Sequence, residues 1–309
     1  MSPSWTRVLD AAPACRVGIA IGRRELAAVV VAGGGAPEPL ALQCETLAAQ
    51  LFDAPPGAAA EDALVQALRA VSASWRDAFA AVHVALPDSV LRSAVLELDQ
   101  LPAKASLRQA LLRWRLAKQW QRSEDSLDCR SVALGPDGTQ QLLFGQGGDQ
   151  AWLACVRRAL ARAGVRAWSL NAAAVHRFNA FHDTLAAAPG ALLTLDPDDW
   201  SLLLWDEQGR LRQLLTRLRP RQPAAEAAPA IADEVERAIL TYVQAAAGRQ
   251  VLRLHLAGDH ADVAALAAVF DARMREPARP LQPLPHTHTR TAGLHDGLAP
   301  LALAAALNR

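Results

Sequence analysis

The stretch Cys15–Ala32, CRVGIAIGRRELAAVVVA, constrains the fold more than any other part of the chain. Val17, Ile19 and Ile21 alternate with smaller residues up to Gly22, Arg23-Arg24 turns the chain, and Leu26–Val31 brings it back. Period-two alternation, a two-residue turn and an apolar return predict a β-hairpin at the start of a sheet. A glycine at such a turn lets backbone N–H groups approach an anion closely, as phosphate-holding loops do. A second hairpin on the same plan lies far downstream: Ala191–Leu195, the turn Asp196-Pro197-Asp198-Asp199, and Trp200–Trp205. Third strands at Pro39–Thr46 and Leu211–Leu218, each followed at a distance by an amphipathic helix and a short strand, predict an internal duplication with a cleft between two halves. Two halves need two cores, and 309 residues of which 51% are apolar suffice to fill them.

Along the chain, Met1–Ala14 reads as a loose lead-in and Gly33–Gly35 as a loop. Leu64, Leu68, Val71, Trp75 and Phe79 predict a helix over Glu61–Phe79, and Val82–Leu86 a strand in which His83 is a core or edge residue. Residues of about 88–156 read as a small α/β module inserted in the first half. It comprises a strand at Val90–Leu98, a helix over Ser106–Gln121, and strands at Asp128–Leu134, Gln140–Gly145 and Gln150–Ala154. The helix has Leu107, Leu111 and Trp114 along one side and carries Arg108, Arg113, Arg115 and Lys118. Two readings stand for it: an interaction face for a membrane surface or a partner peptide, and a solvated arginine face with its tryptophans in the core. A helix over Cys155–Ala163 stopped by Gly164, a strand at Val165–Leu170 and a helix over Asn171–Phe181 with a structural His176 complete the first half, and Thr184–Gly190 reads as the hinge. In the second half, Arg219–Pro229 reads as a flexible connection, Ile231 to Tyr242 as a helix, Val251–Leu256 as a strand before Gly258, and Asp262–Met274 as a helix. The halves are thus residues 1–187 and 188–309, with an apolar helix at 298–307 docking back on the first.

Composition removes several function classes. A net charge of +1 leaves no global field to attract nucleic acid or anionic lipid. The positive charge is almost all arginine, which with the alanine excess points to a GC-rich bacterial genome. Cys15, Cys44, Cys129 and Cys155 are scattered, as buried thiols of a cytosolic protein are. Neither a signal-peptide pattern nor an apolar run of about 18 residues is present, which predicts a cytoplasmic protein. No GxSxG, HExxH, Walker A or GxGxxG motif occurs. His286, His288 and His295 have no carboxylate or cysteine at metal-site spacing and read as a polar loop, so no metal site and no catalytic residue is assigned.

Gly22, Asp196 and Gly258 each sit at a strand-to-turn junction. Their arrangement resembles the actin-like ATPase superfamily, an α/β fold of the duplicated, ribonuclease H-like kind. Within it the chain is similar over nearly its whole length to the PilM and MshI proteins of type IV pilus biogenesis. VHVALPDSVLRSAVLELDQLP, RRALARAGVRAWSLNAAAVHRF, IADEVERAIL and VLRLHLAGDHADVAAL carry the likeness, in that order. The resemblance implies that the two hairpin turns and the late glycine flank a nucleotide, with aspartates positioning Mg²⁺ and water. The chain departs from this pattern. Ala20 stands where the family has an aspartate, Arg23 replaces a small turn residue, and Pro197-Asp198-Asp199 replaces a glycine-bearing turn. Ala257 and Asp259 flank the late glycine. Proline removes a donor and added carboxylates repel phosphate, so Gly22, Asp196 and Gly258 read as a vestigial nucleotide cleft. No cofactor is expected, with Mg-ATP or Mg-ADP as the open possibility. By resemblance the function is a cytoplasmic scaffold, peripheral to the inner membrane, that binds the tail of a bitopic PilN-like protein and touches the membrane only through it. The tail would lie between the module and the first half, with Arg108, Trp114 and Arg115 as its contacts. The resemblance also admits an L-type type II secretion component, or a working ATPase or small-molecule kinase using Asp196 or Asp198.

Overall fold

The computed structural model describes residues 15–32, 39–73, 75, 80–137, 140–245, 249–274, 277–281 and 298–307. The lead-in, the Gly33–Gly35 loop and the histidines at 286, 288 and 295 lie outside the described residues.

Strands β1 (Cys15–Ile21) and β2 (Glu25–Ala32) form the opening hairpin, with Ile21 opposite Leu26. β3 (Pro39–Thr46) extends it antiparallel. Helix α1 (Ala58–Ser72) crosses over and β4 (Ala80–Leu86) returns parallel to β1. The module follows: β5 (Leu91–Leu98), α2 (Ala105–Trp120), β6 (Leu127–Asp137) and β7 (Gln140–Asp149). Its three strands are antiparallel in the order β5-β7-β6, and Leu112 and Leu116 of α2 pack on Ala94, Leu96, Leu98 and Leu143.

Helix α3 (Gln150–Ala163) starts where a strand at 150–154 was predicted. Asp149 is the reason: its carboxylate accepts from the N–H groups of Ala151 and Trp152 at 2.9 and 3.1 Å, an N-cap that starts the helix at once. β8 (Ala167–Ala172) pairs parallel with β4, and α4 (Ala173–Ala180) and α5 (His182–Leu185) lead into the second half.

That half contains β9 (Gly190–Leu195), β10 (Asp199–Trp205), β11 (Leu211–Leu218), α6 (Ala224–Ala245), β12 (Arg253–Ala257), α7 (His260–Arg273) and the short β13 (Arg279–Pro280). The flexible connection predicted to Pro229 is shorter than expected, because α6 begins at Ala224. Pro229 costs this helix one backbone bond, which burial of Ala227, Ala228, Ile231, Ala232 and Val235 offsets.

The two large sheets run β3-β2-β1-β4-β8 and β11-β10-β9-β12-β13, with the same order and the same strand senses. The duplication extends to single hydrogen bonds. The Gly22 N–H donates to the Glu25 carbonyl and the Asp196 N–H to the Asp199 carbonyl, each at 2.9 Å. Leu47 then bonds the Arg24 carbonyl as Arg219 bonds that of Asp198. The fold is therefore the duplicated α/β architecture.

The last helix, α8 (Ala299–Ala306), lies on β1, β2 and β4 of the first half, burying Leu301, Ala302 and Leu303 against Ala20, Ala27, Val29 and Ala85. Gly18 permits that approach, since a Cβ there would come within 1.8 Å of the Ala302 carbonyl oxygen.

Candidate functional site

Two concavities face each other across the Arg23 side chain. The first is the cleft between the halves, about 480 Å³, lined by Gly22, Arg23 and Glu25 of the first turn, Asp196, Pro197, Asp198 and Asp199 of the second, and Leu298 and Leu301 of the last helix. The N–H that Gly22 would offer an anion is taken by the Glu25 carbonyl, and Leu298 stands directly over the glycine. Arg23 crosses the cleft: its Nε lies 2.8 Å from Asp198 Oδ2, while a terminal nitrogen pairs with Asp53.

Behind the second turn lies a buried charge cluster. Asp88 comes from the turn after β4, Asp196 and Asp199 from the β9–β10 turn, and their carboxylate oxygens lie within 4.8 Å of one another. Arg177 of α4 occupies both oxygens of Asp196 at 2.7 Å, in a fork that leaves both side chains almost wholly buried. Asp88 accepts from the Ala174 N–H, and Asp199 Oδ2 from the Ser89 N–H at 2.8 Å. Burial, reinforced by the neighbouring Asp199 and Asp196 charges, pushes the Asp88 carboxyl well above its usual range. Burial first and the Asp196 charge second push Asp199 up to about 7. One guanidinium and proton uptake thus offset the three acids. Gly258 does not line the cleft. Its φ of 154° and a Cβ position 2.5 Å from the Leu195 carbonyl show a glycine required where β12 ends against β9.

The second concavity, about 510 Å³, runs between the module and the first half. Its apolar walls are Phe52, Val90, Trp120, Leu127 and Trp152, with Arg23, Arg92 and Arg122 as cations, Asp53 and Asp149 as acids, and Gly147 and Gly148 of β7 among its lining. Phe52 packs on Trp152 with ring centroids 4.7 Å apart and holds φ at 70°, a strained value for an aromatic residue. The Trp152 indole N–H is satisfied by the Ala54 carbonyl at 2.9 Å, so its ring is fixed as a wall.

Arg108, Trp114 and Arg115 do not line this groove; the end of α2 that does so is Trp120, followed by Arg122. Trp114 is 44% exposed on the outer side of α2, with the Arg115 guanidinium and the Lys118 ammonium each 5.5 Å from its ring centroid. Arg108 donates to the carbonyls of Pro102 and Ala103. Sequence reasoning missed Phe52, Trp120 and Trp152. Trp152 carried a signal, the Asp149 cap, that would have turned it from a strand residue into a helix residue facing the first half.

No family profile and no curated protein matches the chain. Among solved structures, the chain is similar to one described as the "PilM-PilN type IV pilus biogenesis complex", with a TM-score of 0.74 at 17% identity over 94% of this chain and 97% of that one. It is similar also to a Bacteroides thetaiotaomicron protein with an actin-like ATPase fold and unknown function, with a TM-score of 0.55 at 10% identity over 98% and 99% of the two chains. The ethanolamine utilization protein EutJ from Carboxydothermus hydrogenoformans follows, with a TM-score of 0.50 at 12% identity over 97% and 91%. The chain has the actin-like ATPase fold and resembles PilM in it. No helix among the described residues is long and apolar enough to cross a membrane.

Proposed function

We propose that the chain is a non-catalytic, actin-like scaffold of type IV pilus biogenesis whose module groove holds the cytoplasmic tail of a PilN-like inner-membrane protein. The observation that carries this reading is a contrast between the two concavities. The inter-half cleft is crossed by Arg23–Asp198 and lined by the carboxylates of the second turn, whereas the module groove is walled by the aromatic rings of Phe52, Trp120 and Trp152 and edged by Arg92 and Arg122. Grooves with fixed aromatic walls and charged groups at the edge are what short peptide segments dock into. The likeness to a chain of a PilM–PilN complex supports the same partner class. On this reading the protein lies in the cytoplasm, peripheral to the inner membrane, and is held there by its partner.

The residues do not fit Mg-nucleotide. Asp196, the carboxylate that the resemblance assigns to the site, is held by the Arg177 fork, and Asp88 and Asp199 beside it accept from the Ala174 and Ser89 N–H groups. The strand position that would supply a second, Ala20, is fully buried under α8. Both turn N–H groups are bonded within their hairpins.

Two measurements test the proposal. Titration with a synthetic peptide of the partner tail is expected to show saturable binding that Trp120→Ala/Arg122→Glu abolishes; binding undiminished in that variant rejects the groove. A thermal melt with millimolar Mg-ATP or Mg-ADP is expected to show no shift, where a ligand at about 100 times its Kd would add about 2.7 kcal/mol. A shift with turnover that Asp196→Asn removes would restore the enzyme reading.

A further inference from the structure

We infer that the outer face of α2 is a docking surface for an anionic lipid bilayer, separate from the peptide groove. Residues 100–123 carry six cations and no acidic residue. Leu107 and Trp114, 55% and 44% exposed, lie on the side of α2 opposite the buried Leu112 and Leu116, and Lys118 follows them at helical spacing. Lys104, Arg108 and Arg115 flank that apolar strip, and among the described residues no ion pair takes any of these cations. Arg115 and Lys118 instead lie over the Trp114 ring, which brings two positive charges to one indole. Tryptophan beside lysine and arginine on an exposed helix face matches the headgroup region of a bilayer, where the ring sits at the apolar boundary and the cations meet anionic headgroups.

Local energetics argue that the face serves something outside the chain. The first turn of α2 has no acidic residue and no side-chain cap, and Lys104 and Arg108 stand at its positive dipole end. Cations there oppose the helix dipole; Arg108 is held by the carbonyls of Pro102 and Ala103, and no side-chain hydrogen bond or ion pair among the described residues holds Lys104. Four cations and one exposed tryptophan make a weak anchor, of the kind that acts together with a second attachment.

The test is co-sedimentation of the full chain, without any partner, with vesicles of phosphatidylcholine alone or with about 30% phosphatidylglycerol at low and high salt. Binding is expected only to the anionic vesicles and only at low salt. Each surface cation contributes roughly fivefold to partitioning, so Arg115→Glu/Lys118→Glu is expected to weaken binding by at least about 25-fold. Arg166→Glu/Arg253→Glu changes net charge equally on exposed sites elsewhere and is expected to retain binding. Trp114→Ala is expected to weaken binding with an unchanged melting temperature, because the ring is solvent-facing. Trp120→Ala, which tests the peptide groove, is expected to leave vesicle binding intact, so the two proposals fail separately. No sedimentation at low salt, equal binding to neutral vesicles, or equal loss in the control pair each overturns the inference. The first of these outcomes would assign the face to a protein partner.

Discussion

Arg177 reaches from the helix that ends the first half to Asp196 in the first turn of the second, and both side chains are almost fully removed from water. Removing one member of a buried pair strands the other, so Arg177→Met is expected to cost about 3–5 kcal/mol in urea unfolding, and Arg177→Met/Asp196→Leu to recover most of that loss. Arg23–Asp198 is partly solvated on both sides, and Arg23→Ala is expected to cost no more than about 1 kcal/mol. Asp199 gives a pH signature. Its folded-state pKa is raised, so its contribution to stability is present below the usual carboxylate range and is lost as pH rises through about 7. Asp199→Asn mimics the protonated form, and is expected to match the parent only below the usual carboxylate range and to exceed it by a growing margin as pH rises toward about 7. His176 and His255 act in the opposite sense, each lowered to about 4 mainly by burial. Their contribution is present above the ordinary histidine value and is lost as pH falls through about 4. Asp88, raised well above its usual range, acts in the same sense as Asp199, so two acids oppose two histidines across mild acid: the parent's stability is expected to be nearly flat there and that of Asp199→Asn to rise with pH, as read by unfolding at a series of pH values.

Among the elements, α8 shows how a short apolar helix gains its place. APLALAAA has no polar side, so it is stable only when covered all round, and the floor of small residues on β1, β2 and β4 provides the cover. Gly18→Val would push a side chain into the Ala302 and Ala306 backbone, and is expected to release the helix, read as rapid hydrogen exchange over 298–307. Leu301→Ala is expected to cost about 2–5 kcal/mol while leaving the helix docked. α3 gives the complementary case. The run AWLA after Asp149 fits a strand or a helix by periodicity, and the aspartate cap decides between them.

At the scale of the molecule, the two halves are joined by more than the cleft-crossing pair. Strand β5 of the module packs on β11 of the second half, and Glu97 receives Arg249 at 3.1 Å and Arg212 at 3.6 Å. The module thus braces the two halves. Thermal unfolding is expected to be one cooperative transition, with calorimetric and van't Hoff enthalpies in agreement. Two resolved transitions in the parent would contradict this bracing, whereas separation in Arg177→Met would locate the coupling in the buried pair.

The duplication was legible in the sequence because strand alternation and turn residues act locally: Val17-Ile19-Ile21, Gly22 and the ALLTL–DPDD–WSLLLW repeat specify hairpins whatever lies around them. The absence of an acid at Ala20 and the proline at 197 were equally legible. What lay beyond the sequence were contacts between residues far apart along it. Nothing local indicates that Arg177 will cap Asp196, that Arg23 will span to Asp198, or that Phe52, Trp120 and Trp152 will wall one groove. The same holds for Trp114: helical spacing placed it on a face with Leu107, but only the packing of Leu112 and Leu116 against the module sheet decided that this face looks outward. Side-chain charge and burial become function only when distant elements are brought together, and the tertiary structure alone determines which are.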